Sequence, residues 1–443
     1  AGGAPLWGRP ACGMRSPPPG APPSPKMGRP GGDGDCRSGQ GLLAEGPPGG
    51  RLGAFGAFFL LTKINWGIGM VAMPYYMHCA GLWCGLAFFV LSMALSADAA
   101  LCLARCREQV AGCRGARTYA DLIGAVLGNA GRAAAIFSMM LANWGSTMAW
   151  IRYMGDNLAR FLPEADISAN AWAMGITAPL LASAFVEDVA PLQRISMVGL
   201  LAGQAFVVIV AGQAVLSLGE LPAYIAAQPA VRWDSAPVAM GLAVFCNEGM
   251  VVLTPSVHAA MRLPRQFPRA LVAMTVYFTV NYLVIAVAGD FLFSYLRGAV
   301  VRSEVSLSFR LDPLHRVAVY LYIVQLLMAF PLVTFTVLSS IEQSWLPRTP
   351  LAARRALRAL LVLAAGGLAV LVPHFGDFLA VAGGLANSLG IYILPHLAML
   401  KAASLGEIQL SARRRLASWL IVGIFGVAAG AVATGVSAKD LFS

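Results

Sequence analysis

Residues 54–74 read AFGAFFLLTKINWGIGMVAMP, and residues 245–255 read FCNEGMVVLTP. The first is an apolar run long enough to cross a bilayer, yet its second half carries Gly67, Gly69 and Pro74. The second repeats the Gly-Met-Val…Pro phrase far downstream. In hydrocarbon every unpaired backbone N–H or C=O costs several kcal/mol, so a spanning segment is normally a continuous helix. Glycine weakens a helix by about 1 kcal/mol and an interior proline by about 3. Both runs are therefore expected to break. Gly and Pro also serve close packing or a kink in transmembrane helices, and one such run alone would leave that reading equally open.

The rest of the chain supports a bilayer as solvent. Of 443 residues, 58% are hydrophobic and 12% charged, and the mean hydropathy is +0.69. Soluble chains carry about 25% charged residues. Apolar runs of about 20 residues recur along the chain. They predict an all-α polytopic membrane protein with about eleven spans, near 54–78, 80–104, 131–153, 170–186, 195–217, 237–259, 269–295, 317–341, 356–373, 376–400 and 416–437. Residues 1–50 differ. They are rich in Pro and Gly, hold no apolar stretch of the kind a secretory signal needs, and are expected to be disordered.

Basic residues orient the spans. With the N-terminus in the cytosol, the inner segments hold Arg51, the arginines at 105–132, Arg194, Arg262, Arg265, Arg269, those at 348–358, and Lys401 with Arg413–Arg415. The outer segments hold fewer, and segment 296–316 runs against the trend. The bias is positive-inside. The net charge of +11 thus reads as topology. No aromatic-basic platform accompanies it, so nucleic acid is not an expected partner.

Spans one and six each open a group of five. This divides residues 54–437 into a first repeat (54–217), a second (237–400) and an extra helix (416–437). Paired interrupted helices at corresponding positions point to a secondary-transporter site between inverted repeats. A broken first helix would present N–H groups near Gly67, Ile68, Gly69 and Met70, which suit a carboxylate. Freed carbonyls near Phe245, Cys246 and Asn247 suit an ammonium or a cation. Together they describe a pocket for a zwitterion. Gly249, and the side chains of Asn65, Asn143, Trp150, Thr334 and Thr336, are candidate lining residues, with helix packing the alternative for each. Glu248 lies at mid-span beside the second break. Ionisable groups at that depth cost about 2.5–3.5 kcal/mol and are functional candidates, so Glu248 is the candidate carrier of a coupled proton. Lys63, one turn before the first break, either pairs with Glu248 or snorkels to the surface. Asp98 and His78 are near span ends and are expected to be solvated. Asp290 allows either reading. Cys102 and Cys106 have helical spacing that would suit a metal pair, but no His or further ligand is expected near them; reduced structural thiols are expected. The three longer outer segments lack cysteine, and the chain holds no Asn-x-Ser/Thr sequon.

The run LTKINWGIGMVAMPYYMHCAGLWCGL (61–86) resembles the first-helix signature of the amino acid/auxin permease family, and most closely its proton-coupled amino acid transporter branch. The likeness continues, in order, in TYADLIGAVLG with MGDNL, in VFCNEGMVVLTPSVHAAMRLPRQFPRA, in LLMAFPLVTFTV and in LAVAGGLANSLGIYILPHLAML. It implies an eleven-helix, LeuT-type 5+5 inverted repeat with helices 1 and 6 broken. It also implies an amino acid substrate, carried by a symporter of the plasma membrane or a vacuolar or lysosomal membrane, with no cofactor beyond a coupling ion, expected to be H+. The chain departs from the branch at Leu60, where His is usual, at Val257, where Glu is usual, and at Trp150, where Tyr is usual. Sodium-coupled relatives carry Thr where Ala329 stands. Two other readings stay open: a sodium-coupled transporter, and an amino-acid-sensing receptor of the same fold with little flux. No His-Glu-x-x-His or Gly-x-Ser-x-Gly motif suggests an enzyme, and no charged ring or filter repeat suggests a channel.

Overall fold

The first span breaks at its glycines. In the computed structural model, which describes residues 52–185, 190–298, 301–345, 349–371 and 375–442, helix α1 (Ala54–Asn65) stops at Trp66. Gly67 is extended, a 3-10 turn covers Ile68–Ala72, and α2 (Met73–Ala80) follows with Pro74 in its first turn. Proline is tolerated there because the first-turn N–H groups have no helical partner. The two halves meet at 56°. Gly81 then takes a φ of 81° and turns the chain into α3 (Leu82–Gln109).

Helix α4 (Tyr119–Phe161) starts behind Thr118, whose hydroxyl accepts the Asp121 N–H at 3.1 Å. Gly128, at φ 77°, divides it into a short leading helix and the third span. Next come α5 (Ala169–Leu180), capped by Ser168, α6 (Ala190–Val215) and the short α7 (Leu221–Ala227). The sixth span is again in two pieces, α8 (Ala236–Phe245) and α9 (Glu248–Ala260). Then follow α10 (Phe267–Gly289) with a π-helical end at Asp290–Tyr295, α11 (Pro313–Trp345) and α12 (Leu351–Leu371). The tenth span is α13 (Phe375–Ala382), a π-helical stretch Gly383–Ile393 and α14 (Leu394–Ser404). The last is α15 (Ala412–Leu420), a π-helical stretch and α16 (Gly430–Phe442).

Among the described residues eight helices, or nine with the bent first pair, are long and apolar enough to cross a membrane. Two expected spans fall short of that measure. Helix α5 has 12 residues, and α12 begins with Arg354, Arg355 and Arg358. The expected eleven spans are therefore not reached by that measure, although helices among the described residues lie at the two remaining places. The expectation for residues 1–50 lies outside the described residues.

Broken span six sits at the centre. Its most apolar window is 78% buried, against 33% for the last span. Glycines let it approach its neighbours: a Cβ on Gly241 would meet the backbone of Ala380, and one on Gly383 would meet the backbone of Gly241 and Phe245. Small residues drive such contacts because lipid supplies no hydrophobic force between helices. The loops sort into two ends as the alternating topology requires. At one end Leu52 bridges Met261, Ser256 donates to the Arg117 carbonyl at 2.6 Å, and the Glu407 carboxylate accepts the Ala111 N–H at 3.1 Å. At the other, Leu82 N–H bonds Pro229, and Arg160 donates to the Phe309 carbonyl at 2.9 Å.

Candidate functional site

The two breaks face each other across a cavity of about 80 Å³. Its walls come from Ile64 to Gly69 of span one, Asn143, Ser146 and Trp150 of α4, Phe245 to Leu253 of span six, Tyr282 of α10 and Val333 of α11.

At the first break three freed carbonyls are taken by side chains of other helices. Tyr282 donates to Asn65 O at 3.1 Å, Gln325 Nε2 to Trp66 O at 2.6 Å, and Tyr322 to Gly67 O at 2.7 Å. In a continuous helix the Gly69 N–H would bond Asn65 O, four residues back. That oxygen is instead shared by Gly67 N–H and Tyr282. The N–H groups of Ile68 and Gly69 consequently have no acceptor among the described residues, and both residues line the cavity.

The second break is arranged with the opposite polarity. Met250 N–H bonds the side-chain Oδ1 of Asn65 at 2.9 Å in place of its helical acceptor, Cys246 O. Asn65 Nδ2 donates to Leu61 O at 2.7 Å, which fixes the carboxamide. Span one thus caps α9 in trans and releases the Cys246 carbonyl. The Phe245 carbonyl is not free, because Asn387 Nδ2 donates to it at 3.2 Å. Glu248, half-buried, is the first residue of α9 and lines the cavity. Its carboxylate sits at the positive end of that helix dipole. It has no hydrogen bond or ion pair among the described residues.

Of the residues chosen from sequence, the structure brings Asn65, Gly67, Ile68, Gly69, Asn143, Trp150, Phe245, Cys246, Glu248 and Gly249 to the cavity. The glycines are needed for closeness: a Cβ on Gly69 would lie 2.6 Å from Cys246 Sγ, and one on Gly249 3.1 Å from Asn65 Oδ1. The Trp150 indole N–H is buried without a partner. Three choices fall elsewhere. Met70 and Thr334 are buried in packing, and Asn247 points away, donating to Ser92 Oγ at 2.8 Å, which in turn bonds Tyr392 OH at 2.8 Å. The side chain of Thr336 lies outside the described residues. Lys63 is 4% exposed, so it does not snorkel.

Other expectations are corrected by long-range contacts. His78 bonds Asp290 at 3.2 Å and Arg232 at 3.2 Å, so neither it nor Asp290 is simply solvated. Asp98 binds His396 at 3.2 Å and Arg414 at 2.7 Å. Cys102 does have other ligand-type side chains beside it: Asp98 and His396 come within 4.8 Å. Arg414 Nη2 fills that cluster, also reaching Cys102 Sγ at 3.0 Å, and makes it an ion-pair network. None of the described cysteines is in a disulfide. Sequence reasoning passed over Tyr282, Tyr322, Gln325, Asn387 and Ser146. Asn387 carried a signal, a polar residue inside the apolar run GGLANSLG; the tyrosines carried none.

Two helices broken at facing points, at the first and sixth positions, give the chain a LeuT-type fold. Solved structures share the fold. A Na+-coupled sialic acid symporter in a substrate-bound outward-open state matches with a TM-score of 0.50 at 12% identity, covering 88% of this chain and 91% of that one. A manganese transporter from Eremococcus coleocola matches with a TM-score of 0.50 at 14% identity, covering 88% and 87%. Residues 50–437 match the family model "Transmembrane amino acid transporter protein", and the chain belongs to that family, one of transporters and not of enzymes. Similar proteins include the amino acid transporters AVT1D (25% identical over 391 residues, 84% of this chain and 67% of that protein) and AVT1E (25% over 350 residues, 75% and 63%), both from Arabidopsis thaliana. The chain spans about two-thirds of the length of these relatives.

Proposed function

We propose that the chain is a secondary active transporter of amino acids, a proton symporter whose coupled proton is carried by Glu248. The observation that supports it best is the cavity between the breaks. On one wall the unpaired N–H groups of Ile68 and Gly69 suit a carboxylate. On the other, the released Cys246 carbonyl and Glu248 suit an ammonium or a proton. A zwitterion matches both walls at once. The cavity is small and apolar elsewhere, at Ile64, Phe245, Val252, Leu253 and Val333, which favours a compact or apolar side chain.

The repeats 54–217 and 237–400 would rock about the two breaks, with the N-terminus cytosolic in a plasma, vacuolar or lysosomal membrane. A proton crossing 100 mV contributes about 2.3 kcal/mol and one pH unit about 1.4 more, enough for roughly 500-fold accumulation of a neutral zwitterion. The test is uptake of radiolabelled amino acids into reconstituted vesicles under separate pH and sodium gradients. Concentrative uptake driven by a pH gradient alone supports the reading. Uptake that needs sodium assigns a different ion, and binding without flux assigns a receptor.

A further inference from the structure

The segment 301–309, between the seventh span and α11, folds inward. Val301, Glu304, Val305, Ser306 and Phe309 are all buried. Val305 and Pro74 meet across Gly289, which places the loop against the outer half of the first broken span. Phe309 packs against Phe293 at 5.3 Å and Phe206 at 6.1 Å.

A carboxyl group is buried with this loop. Glu304 is 1% exposed, and a charge at such a place needs an opposite charge or a proton. Its one hydrogen bond comes from Asn157 Nδ2, at 3.3 Å. The charged groups facing it are both on α4, Asp156 and Arg152, and they are paired with each other at 2.8 Å. No cation is left over for Glu304 among the described residues. The polar atoms around it are also short of partners. Tyr153 OH and Ser306 Oγ face each other and have no other partner among the described residues, where Asn157 Oδ1 has none at all; all three residues are fully buried. The Asn157 amide cannot simply turn over, because its Nδ2 also donates to Tyr153 O at 2.8 Å. Its Oδ1 therefore lacks a donor. A carboxylate offers none; a carboxylic acid offers one O–H.

We infer that the enclave of Glu304, Asn157, Tyr153 and Ser306 is a proton-binding site separate from the cavity, and that the bound proton holds loop 301–309 against the first broken span. Burial, with the Asp156 charge beside it, pushes the Glu304 carboxyl well above the usual carboxylate range, against the opposing pull of Arg152. With the loop released the carboxyl returns to about 4.3. The raised group is the closed one. Closure is fully stabilised below the released-state value and weakens as pH rises through the closed-state value, at up to about tenfold per pH unit for one proton. The site touches the break through two rings: Tyr153 lies 5.7 Å from Tyr322, whose hydroxyl bonds Gly67 O. This inference does not depend on the substrate or on Glu248.

The experiment needs no transport. Val305→Cys is made in the full chain, purified in detergent, and reacted with a polar maleimide across pH 5–8 in the presence of a free thiol peptide that corrects for thiolate content. Labelling is read by mass spectrometry on the tryptic peptide 303–310. The corrected rate should rise by up to about tenfold per pH unit over the titration. With Glu304→Gln, neutral at every pH, it should stay at the low-pH rate. Hydrogen exchange of the same peptide in the chain lacking the added cysteine should follow the same profile. A flat profile in the parent, or an unchanged slope in Glu304→Gln, overturns the proposal. So does protection by added sodium at fixed pH, which would assign a metal cation. Should the Gln variant fail to fold, Asn157→Leu removes the amide N–H that favours the charged carboxylate and should move the midpoint to higher pH; an unmoved midpoint is equally decisive against it.

Discussion

The Oδ1 atom of Asn65 accepts the N–H of Met250 at 2.9 Å, so the residue that ends the first half of one broken helix caps the second half of the other. The bond makes the two breaks one structure. It supplies the acceptor that Met250 would have found at Cys246, and it leaves the carbonyl of that cavity-lining residue without its helical donor.

Removing that cap should be costly. Asn65→Leu keeps the side-chain branching but leaves a buried N–H without an acceptor, at about 1–3 kcal/mol. The thermal midpoint of the purified protein should fall, and substrate affinity should fall with it as α9 re-closes toward Cys246 O. An unchanged midpoint would show that the trans cap carries no stability.

The Gly69 contact makes a sharper prediction. A Cβ at this position would sit 2.6 Å from Cys246 Sγ and 3.6 Å from its Cβ. Gly69→Ala should therefore impair substrate binding, and Cys246→Ala in the same chain should restore much of it, because only the sulfur is too close. Binding measured for both single variants and the double variant settles the matter. Equal losses in single and double variants would remove this contact from the explanation.

Glu248→Gln keeps the shape and cannot ionise. If Glu248 carries the coupled proton, the variant should exchange substrate at equilibrium yet lose accumulation driven by a pH gradient. The two assays belong in the same vesicles. Accumulation at the parent dependence on pH would sink the assignment.

The buried pair of Glu342 and Arg358 joins α11 to α12 through two bonds of 2.6 Å. It explains how α12 tolerates an arginine that is 6% exposed. Glu342→Leu should cost about 3–5 kcal/mol, because it removes the carboxylate that pairs with a buried guanidinium. Glu342→Leu with Arg358→Met should recover most of that loss. Denaturation midpoints of the three proteins provide the measurement.

Much of the site could be read from local sequence. Gly67, Gly69 and the Glu248–Gly249 pair were visible because glycine and charge are rare and consequential inside hydrocarbon. The position of the breaks followed to within a few residues. What the freed groups would meet did not follow. The Phe245 carbonyl was expected to face the ligand, and Asn387 takes it. Asn247 was expected at the pocket, and it turns to Ser92. Cys102 was expected to lack ligand-type neighbours, and Asp98 and His396 lie beside it with Arg414 in their midst.

The amino-acid sequence by itself determined the solvent, the helical class, the two breaks and the sorting of loops between the two ends. Each of these depends on the length and content of a run of neighbouring residues, and the cost of bare backbone in lipid leaves little choice. Only the tertiary structure decided which groups at the breaks stay unpaired. Tyr282, Tyr322 and Gln325 close the carbonyls of the first break from 217, 255 and 259 residues away, and Asn387 closes one at the second from 142. A tyrosine or a glutamine in an apolar helix looks the same in sequence whether it meets lipid, a neighbour's side chain or a freed carbonyl. Helix packing sets which of these it finds, and the N–H groups and carbonyl left over after that pairing are the ones available to a ligand.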